Sequence, residues 1–100
     1  LIYSAKPFSA REALKWGLVN AIFSSDNLLK ETIKIAEKIA GNAPIAIKNA
    51  KKAINDGFQM TLTDGMNLEL ECYNKTIVTN DRVEGVLAFN EKRQPKFKGR

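Results

Sequence analysis

Hydrophobic and polar residues alternate along this chain at the spacing of amphipathic helices. The clearest pattern runs from Leu28 to Ala40, where apolar residues recur every three or four positions and the lysines and glutamates are largely segregated from them. Gly41-Asn42 ends this helix, and Pro44 begins the next one at its first position, where a missing N–H group costs nothing. Asp56-Gly57 closes that second helix.

Signals for helix ends predict three further elements. Ser9 and Glu12 have the spacing of a capping box, which predicts a short helix over about residues 10–16 with Gly17 as its C-cap. A later amphipathic helix is predicted to begin near Thr63 or Asp64, because apolar residues in this region recur at spacings of three and four. These residues are Leu62, Met66, Leu70, Tyr73 and Ile77.

The last helix is predicted to be capped by Thr79-Asn80-Asp81 and to run to about Arg93, because Pro95 forbids further extension. Residues 18–23 are too short an apolar run for a helix and read as an extended connector. Ser24-Ser25-Asp26-Asn27 then supplies a turn and an N-cap. The pattern as a whole predicts an all-α unit of four or five helices with short joints.

Composition narrows the class of protein. One hundred residues, 44% of them hydrophobic and 27% charged, are typical of one small globular domain. No apolar run approaches the roughly 20 residues that span a bilayer. Cys72 is the only cysteine, which leaves no disulfide framework or metal cluster and suits a reducing cytosol. The chain starts at Leu1 without Met, so we expect a piece of a longer protein that starts within an element.

Positive charge is concentrated at the C-terminus. Residues 90–100 hold five basic residues and one acidic residue, Glu91, and so carry +4 of the formal net charge of +5. Clustered Lys and Arg are the electrostatic footprint of nucleic-acid binding, which makes a basic helical nucleic-acid-binding module one hypothesis. A frayed, solvated tail is the plainer interpretation, since no recognition motif accompanies the charges.

Candidate ligand-binding residues lie on the last helix. Phe89 and Lys92 are three apart and are predicted to share one face, with Gly85 one turn before them. An aromatic ring beside an ammonium group, with a glycine that admits close approach, would suit a heterocycle carrying phosphates. The plainer interpretation is that Phe89 is a core residue and Lys92 extends from the rim to solvent.

No catalytic constellation is evident. The chain has no His, the commonest general base. Glu12 is expected to serve its cap, and Glu69 and Glu71 lie on different faces of one helix. Neither Glu69 nor Glu71 has a His or a Gly-rich anion hole nearby in the sequence, and Glu84 is a further carboxylate that could be imagined as an acid or base. Cys72 is expected to be a small buried residue. We therefore predict no catalytic and no metal-binding residue.

Three segments together resemble the crotonase superfamily, in particular the enoyl-CoA hydratases, including the bacterial 3-hydroxybutyryl-CoA dehydratases. They are residues 10–20 (AREALKWGLVN), 43–48 (APIAIK) and 84–97 (EGVLAFNEKRQPKF). They occur in the family's order and spacing, and the resemblance extends over essentially all 100 residues.

The resemblance implies that residues 1–100 are the C-terminal helical region of a ClpP/crotonase-like subunit, whose spiral of ββα units lies outside this chain. In the family that spiral carries two catalytic glutamates and the backbone N–H pair that holds the thioester oxyanion. The helical region packs at the interface of a trimer, and two trimers commonly form a hexamer. The implied protein is a cytoplasmic homotrimer or hexamer that binds neither nucleic acid nor membrane.

The resemblance also implies a role for three residues. Phe89 and Lys92 match the Phe and Lys that help to bind coenzyme A in hydratases, and Tyr73 corresponds by spacing to an aromatic near the acyl or pantetheine path. Coenzyme A would enter as part of an acyl-CoA thioester substrate, with no separate cofactor. The implied reaction is hydration of the 2,3-double bond of enoyl-CoA thioesters in fatty-acid β-oxidation.

Alternatives remain open at this point. An enoyl-CoA isomerase or a dihydroxynaphthoyl-CoA synthase shares the same motifs. The nucleic-acid-binding module is an alternative from another class, and a purely structural interface segment is a third, because the helices have apolar faces that need a partner.

Overall fold

Five helices make up the protein in the computed structural model, which describes residues 2–100. In chain order they are α1 (Ala10–Lys15), α2 (Ser25–Ala40), α3 (Pro44–Gly57), α4 (Leu62–Ile77) and α5 (Asn80–Asn90). No strand occurs within residues 2–100, so the all-α prediction is confirmed. None of these helices is long and apolar enough to cross a membrane. Leu1, where we expected the chain to start within an element, lies outside the described residues.

Side-chain caps explain where the helices begin. The Thr79 hydroxyl accepts the N–H of Arg82 at 3.2 Å, which confirms Thr79 as the cap of α5. Thr61 accepts the N–H of Asp64 at 3.2 Å in the same way, so α4 begins at Leu62, slightly earlier than predicted. The threonine oxygen meets a backbone donor that the helix itself leaves without a partner.

Two helix boundaries differ from the predictions. Helix α2 begins at Ser25 and not at Leu28, because the carbonyl of Ser24 already accepts the N–H of Leu28 at 2.9 Å. The polar stretch that we interpreted as a turn is therefore the first turn of the helix, where an acid such as Asp26 is favoured by the helix dipole. Helix α5 ends at Asn90, three residues before the predicted end.

The chain divides into two compact units, and the division falls inside α2, after Ala36. In the first unit the predicted capping box is present. Ser9 Oγ accepts the N–H of Glu12 at 3.2 Å, and Glu12 Oε2 accepts the N–H of Ser9 at 2.8 Å. The hydrogen bond from the Ser9 backbone and a second from its hydroxyl lower the pKa of Glu12. Glu12 therefore serves α1, as expected.

Helix α1 ends in a Schellman motif. The N–H of Gly17 binds the carbonyl of Leu14 at 3.1 Å, and the N–H of Leu18 binds the carbonyl of Ala13 at 2.9 Å. Gly17 has φ +72°, a left-handed conformation that glycine adopts without a steric penalty. The prediction that Gly17 ends this helix is confirmed.

In the second unit, Glu37–Arg100, helices α3 and α4 pack against each other. The two helices approach each other closely at Gly57, which ends α3, and Gly65, in the first turns of α4. A Cβ atom added to Gly65 would lie 3.2 Å from the carbonyl oxygen of Gly57. Glycine at position 65 therefore permits a close backbone approach that any side chain would oppose.

Few apolar side chains are buried. The buried hydrophobic residues of the described chain are Ala13, Cys72 and Ala88, all of them small. In contrast, Phe58 is 89% exposed and Leu62 is 83% exposed. Cys72, only 2% exposed, is the buried residue that we predicted. The second unit thus presents to solvent apolar side chains that are usually found in protein interiors.

We expect Gly65→Ala to lower the free energy of unfolding by about 1 kcal/mol. Alanine favours a helix by up to about 1 kcal/mol over glycine, but overpacking against backbone costs about 1–3 kcal/mol. The measurement is thermal unfolding of the full-length protein, followed by circular dichroism.

Gly85→Ala is the matched control, because Gly85 is also helical but its added Cβ would meet only the Phe97 ring, at an ordinary 3.6 Å. We expect this variant to gain stability from helix propensity. A gain of stability in both variants would show that α3 and α4 are free to separate at this point.

Candidate functional site

The candidate site begins where α5 ends. The N–H of Lys92 binds the carbonyl of Phe89 at 3.2 Å, and the N–H of Arg93 binds the carbonyl of Ala88 at 3.0 Å. This is the same Schellman motif that ends α1. Lys92 occupies the left-handed position, with φ +53°.

Lysine stands here where α1 uses glycine. A left-handed conformation costs a residue with a Cβ atom about 1–2 kcal/mol, and glycine avoids this cost. Lys92 is exposed and makes no salt bridge with any residue that the structure describes. A strained residue with an unpaired ammonium group in an exposed turn is a candidate for ligand binding.

The residue after Lys92 is held by two carboxylates. Arg93 donates Nη1–H to Glu84 Oε1 at 2.6 Å and Nη2–H to Glu84 Oε2 at 3.0 Å, a bidentate pair. Its Nε–H binds Glu91 Oε2 at 2.5 Å. Glu84 and then Glu91 raise the pKa of Arg93 above its usual range.

Glu84 also binds the segment that follows. Its Oε1 accepts the N–H of Lys96 at 2.7 Å. The hydrogen bonds from Arg93, and next from Lys96, lower the pKa of Glu84 from 4.5 to about 2. Glu84 is therefore a carboxylate with fixed partners, which makes it a poor proton donor or base near neutral pH.

Asp81 holds the end of the chain. Its Oδ1 accepts the N–H of Lys98 and its Oδ2 the N–H of Gly99, each at 2.7 Å, and its own N–H binds the carbonyl of Arg100 at 3.1 Å. Asp81 is only 3% exposed. The C-terminal segment, residues 94–100, thus lies along α5 and is not frayed, whereas its basic side chains, Lys96, Lys98 and Arg100, are exposed to solvent as expected.

The C-terminal segment also changes the interpretation of Gly85. A Cβ atom on Gly85 would lie 3.6 Å from the ring of Phe97. The close approach that we predicted for a ligand is therefore made by an aromatic side chain of the protein itself.

The predicted site residues do not meet in one cavity. Phe89, 84% exposed, lines a groove of about 410 Å³ together with Gly85 and Phe97. Tyr73, 57% exposed, lines a groove of about 690 Å³ between α3 and α4. Thr76 lines both grooves, which places them side by side.

Lys92 lines neither of these two grooves. The prediction that Lys92 and Phe89 share a helical face is wrong, because α5 ends at Asn90 and Lys92 lies in the turn beyond it. The turn reverses the chain after Phe89, since the left-handed residue stops the helical path.

Sequence reasoning missed the joint role of Asp81, Glu84 and Arg93. Their contacts join residues 9 to 18 positions apart, beyond the reach of helical spacing. The sequence offered one signal for the Glu84–Arg93 pair, which is an acid within α5 and an arginine just after the end of that helix. No group of three or more His, Cys, Asp or Glu side chains placed to hold a metal occurs among the residues that the structure describes.

Comparison with known proteins identifies the family. The model of the family described as enoyl-CoA hydratase/isomerase matches residues 1–100. The chain therefore belongs to the enoyl-CoA hydratase/isomerase family, which confirms the resemblance seen in its motifs.

Individual relatives agree with this result. The crystal structure of enoyl-CoA hydratase from Bacillus anthracis is 46% identical, with a TM-score of 0.95 over 100% of this chain and 39% of that one. Mitochondrial enoyl-CoA hydratase from Pongo abelii is 42% identical over 98 residues, 98% of this chain and 34% of the relative. Human mitochondrial methylglutaconyl-CoA hydratase is 38% identical over 103 residues, 99% of this chain and 30% of the relative. The chain spans about a third of the length of these curated relatives.

We expect Glu84→Gln to weaken the dependence of the free energy of unfolding on pH in the acid range. Because the pKa of Glu84 is lowered from 4.5 to about 2 in the folded state, its stabilising effect is complete above about pH 4.5 and is lost as the pH falls towards 2. Glutamine does not titrate, so the variant is less stable near neutral pH but loses less stability over this window. Thermal unfolding of the full-length protein between pH 7 and pH 2 measures both effects.

Glu37→Gln, at an exposed position of α2, is the control, and its stability should fall with pH as in the wild type. If Glu84→Gln and the wild type respond identically to acid, the Glu84–Arg93 pair does not form in solution.

Proposed function

We propose that this chain is the C-terminal helical region of an enoyl-CoA hydratase, an enzyme that adds water across the 2,3-double bond of enoyl-CoA thioesters. The observation that carries this proposal is the match over 100% of the chain to an enoyl-CoA hydratase of known structure, at 46% identity. In such an enzyme the chain would contribute coenzyme A contacts and subunit contacts.

Lys92 is the proposed contact for the phosphates of coenzyme A. Its ammonium group is exposed, makes no salt bridge within the described chain, and sits in a turn whose backbone is held by hydrogen bonds. Lysine attracts phosphate as a point charge, with no strict requirement for direction. Phe89 offers an exposed ring near the end of α5, and Tyr73 a second ring in the neighbouring groove.

The chemical step is proposed to use residues outside this chain. Glu12 caps α1 and Glu84 binds Arg93, so neither is free to handle a proton. Two carboxylates would activate the water and transfer the proton, and backbone N–H groups would stabilise the negative charge on the thioester oxygen. Coenzyme A would enter as part of the substrate, without a separate cofactor.

The exposed apolar side chains support a role in assembly. Ile54, Phe58 and Leu62 are 69%, 89% and 83% exposed, and all three line the groove between α3 and α4. Burial of such a side chain stabilises a structure by about 1.5–3 kcal/mol. We propose that this surface is covered in a homotrimer or hexamer.

The proposed setting is fatty-acid β-oxidation in the cytoplasm. Its support is indirect: a lone buried cysteine suits a reducing compartment. Two of the relatives are mitochondrial proteins by name.

Isomerisation of the double bond is the second candidate activity, because the family description covers isomerases as well as hydratases. Incubation of the full-length protein with crotonyl-CoA and with a 3-enoyl-CoA separates the two. Hydration of crotonyl-CoA supports the first proposal, whereas conversion of the 3-enoyl substrate alone supports the second. A dihydroxynaphthoyl-CoA synthase would act on neither.

A basic nucleic-acid-binding module is the alternative from another class, and the exposed side chains of Lys96, Lys98 and Arg100 would be its contacts. Electrostatic binding to duplex DNA would weaken steeply with salt, and absence of binding at low salt would exclude it.

We expect Lys92→Ala to raise the KM for crotonyl-CoA about three- to fivefold, the effect of one exposed charge contact, with kcat nearly unchanged. Steady-state kinetics of the full-length enzyme measure both constants. Lys92→Gly should raise KM equally but keep or increase thermal stability, because glycine relieves the left-handed strain.

Lys75→Ala is the matched control, an exposed lysine on α4 that lines neither groove. An unchanged KM in Lys92→Ala would remove Lys92 from the binding site.

We expect the chain, expressed by itself, to self-associate or aggregate, because its apolar surface has no cover. Gel filtration of residues 1–100 provides the measurement. A Phe58→Ser/Leu62→Ser double variant, altered only at exposed positions, should shift towards the monomer. Elution of the unaltered chain as a stable monomer would contradict the assembly proposal.

A further inference from the structure

Something must hold Lys92 in its left-handed conformation. Its φ of +53° is one that a lysine rarely adopts, and the two hydrogen bonds of the Schellman motif only close the turn. Strained backbone of this kind persists where the surrounding structure over-determines it. The residues on either side of Lys92 show how this is done.

Both neighbours of Lys92 are tied to each other and to the helix. Arg93 Nε–H binds the carboxylate of Glu91 across the turn at 2.5 Å. The other two nitrogens of Arg93 bind the two oxygens of Glu84 at 2.6 and 3.0 Å. Lys96, further along the chain, donates its N–H to the same carboxylate at 2.7 Å.

Glu84 is the fixed end of this network. It lies inside α5, and its side chain is only 22% exposed. A bidentate pair between a carboxylate and a guanidinium restricts orientation as well as distance. Because Arg93 cannot move without breaking that pair, the one residue between Arg93 and Glu91 is held on both sides.

Lys92 is thereby presented with its backbone fixed and its ammonium group unpaired within the described chain. A binding group that is already in place loses less freedom when a ligand binds, which increases affinity. We propose that Glu84 is a positioning residue for Lys92, holding the turn through Arg93 so that the ammonium group meets the phosphates of coenzyme A. This inference rests on the proposed function of Lys92.

The negative charge of Glu84 does not counteract that role. Its charge is balanced by the guanidinium of Arg93, at 2.6 Å. Since the pKa of Glu84 is lowered to about 2, the pair stays ionised at any pH at which such an enzyme is assayed. Glutamine at this position keeps the size of the side chain but presents an N–H₂ group to one of the arginine donors.

The test is Glu84→Gln in the full-length enzyme, assayed with crotonyl-CoA and with crotonyl-pantetheine, which has no phosphate. We expect KM for crotonyl-CoA to rise about two- to threefold, less than in Lys92→Ala because Glu84 acts only through Lys92. We expect kcat and the KM for crotonyl-pantetheine to stay unchanged. In the Lys92→Ala background, Glu84→Gln should add no further increase.

Other outcomes overturn the inference. An equal rise in KM for both thioesters, or additive effects of the two substitutions, would mean that Glu84 only supports the fold. If Lys92→Ala raises KM for crotonyl-CoA and Glu84→Gln does not, this inference alone is wrong. If Lys92→Ala itself changes nothing, the proposed role of Lys92 is wrong, and this inference with it.

Two further variants keep the test decisive. Glu37→Gln makes the same change of charge at an exposed position of α2, and we expect wild-type constants from it. Should Glu84→Gln fail to fold, Arg93→Lys keeps the positive charge but loses the bidentate pair. This variant should raise the KM for crotonyl-CoA and leave the KM for crotonyl-pantetheine unchanged. An equal rise in KM for both thioesters would overturn the inference.

Discussion

Backbone N–H groups in an irregular segment need acceptors, and in this chain two carboxylates on α5 supply them. Glu84 accepts the N–H of Lys96, and Asp81 accepts those of Lys98 and Gly99. These bonds to charged acceptors are short and comparatively strong. They bring the last seven residues back along α5, and the positions of the Lys92 turn and the Phe97 ring depend on them.

Because few apolar side chains are buried, these polar contacts are important for the stability of the fold. Within the described chain the buried apolar residues are small, and the large ones, such as Phe58 and Leu62, are exposed. The C-terminal segment is held by these polar contacts together with the packing of the Phe97 ring over Gly85. Caps, the Schellman motif and carboxylate–amide bonds define its path, whereas the apolar faces remain available for a partner.

Polar contacts that hold the C-terminal segment and apolar faces that remain exposed agree with the proposed role in an enzyme of the enoyl-CoA hydratase/isomerase family. The glutamates that might have suggested catalysis are engaged in structural bonds: Glu12 caps α1 and Glu84 binds Arg93. Lys92 in its left-handed turn makes the turn less stable than glycine would, but it places a positive charge at the surface. Binding a charged substrate is a function that such an arrangement can perform without a catalytic group.

Much of the fold was predictable because its determinants are local. The capping box of Ser9 and Glu12, the Thr79 cap and the extent of α3 all depend on contacts within four residues, and the motifs around Phe89 and Lys92 indicated the family. The end of α5 was predicted three residues too late, because nothing local marks a lysine for the left-handed position that Gly17 fills in α1.

The sequence by itself indicated four or five helices, the caps of α1 and α5, the positive charge of the C-terminus and the family. The tertiary structure alone decided that this C-terminus is bound, that Glu84 pairs with Arg93, and that Phe89 and Lys92 do not share a helical face. The physical reason is separation along the chain. Side chains three or four residues apart meet by helical geometry, whereas those 9 to 18 apart meet only when the folded backbone brings them together.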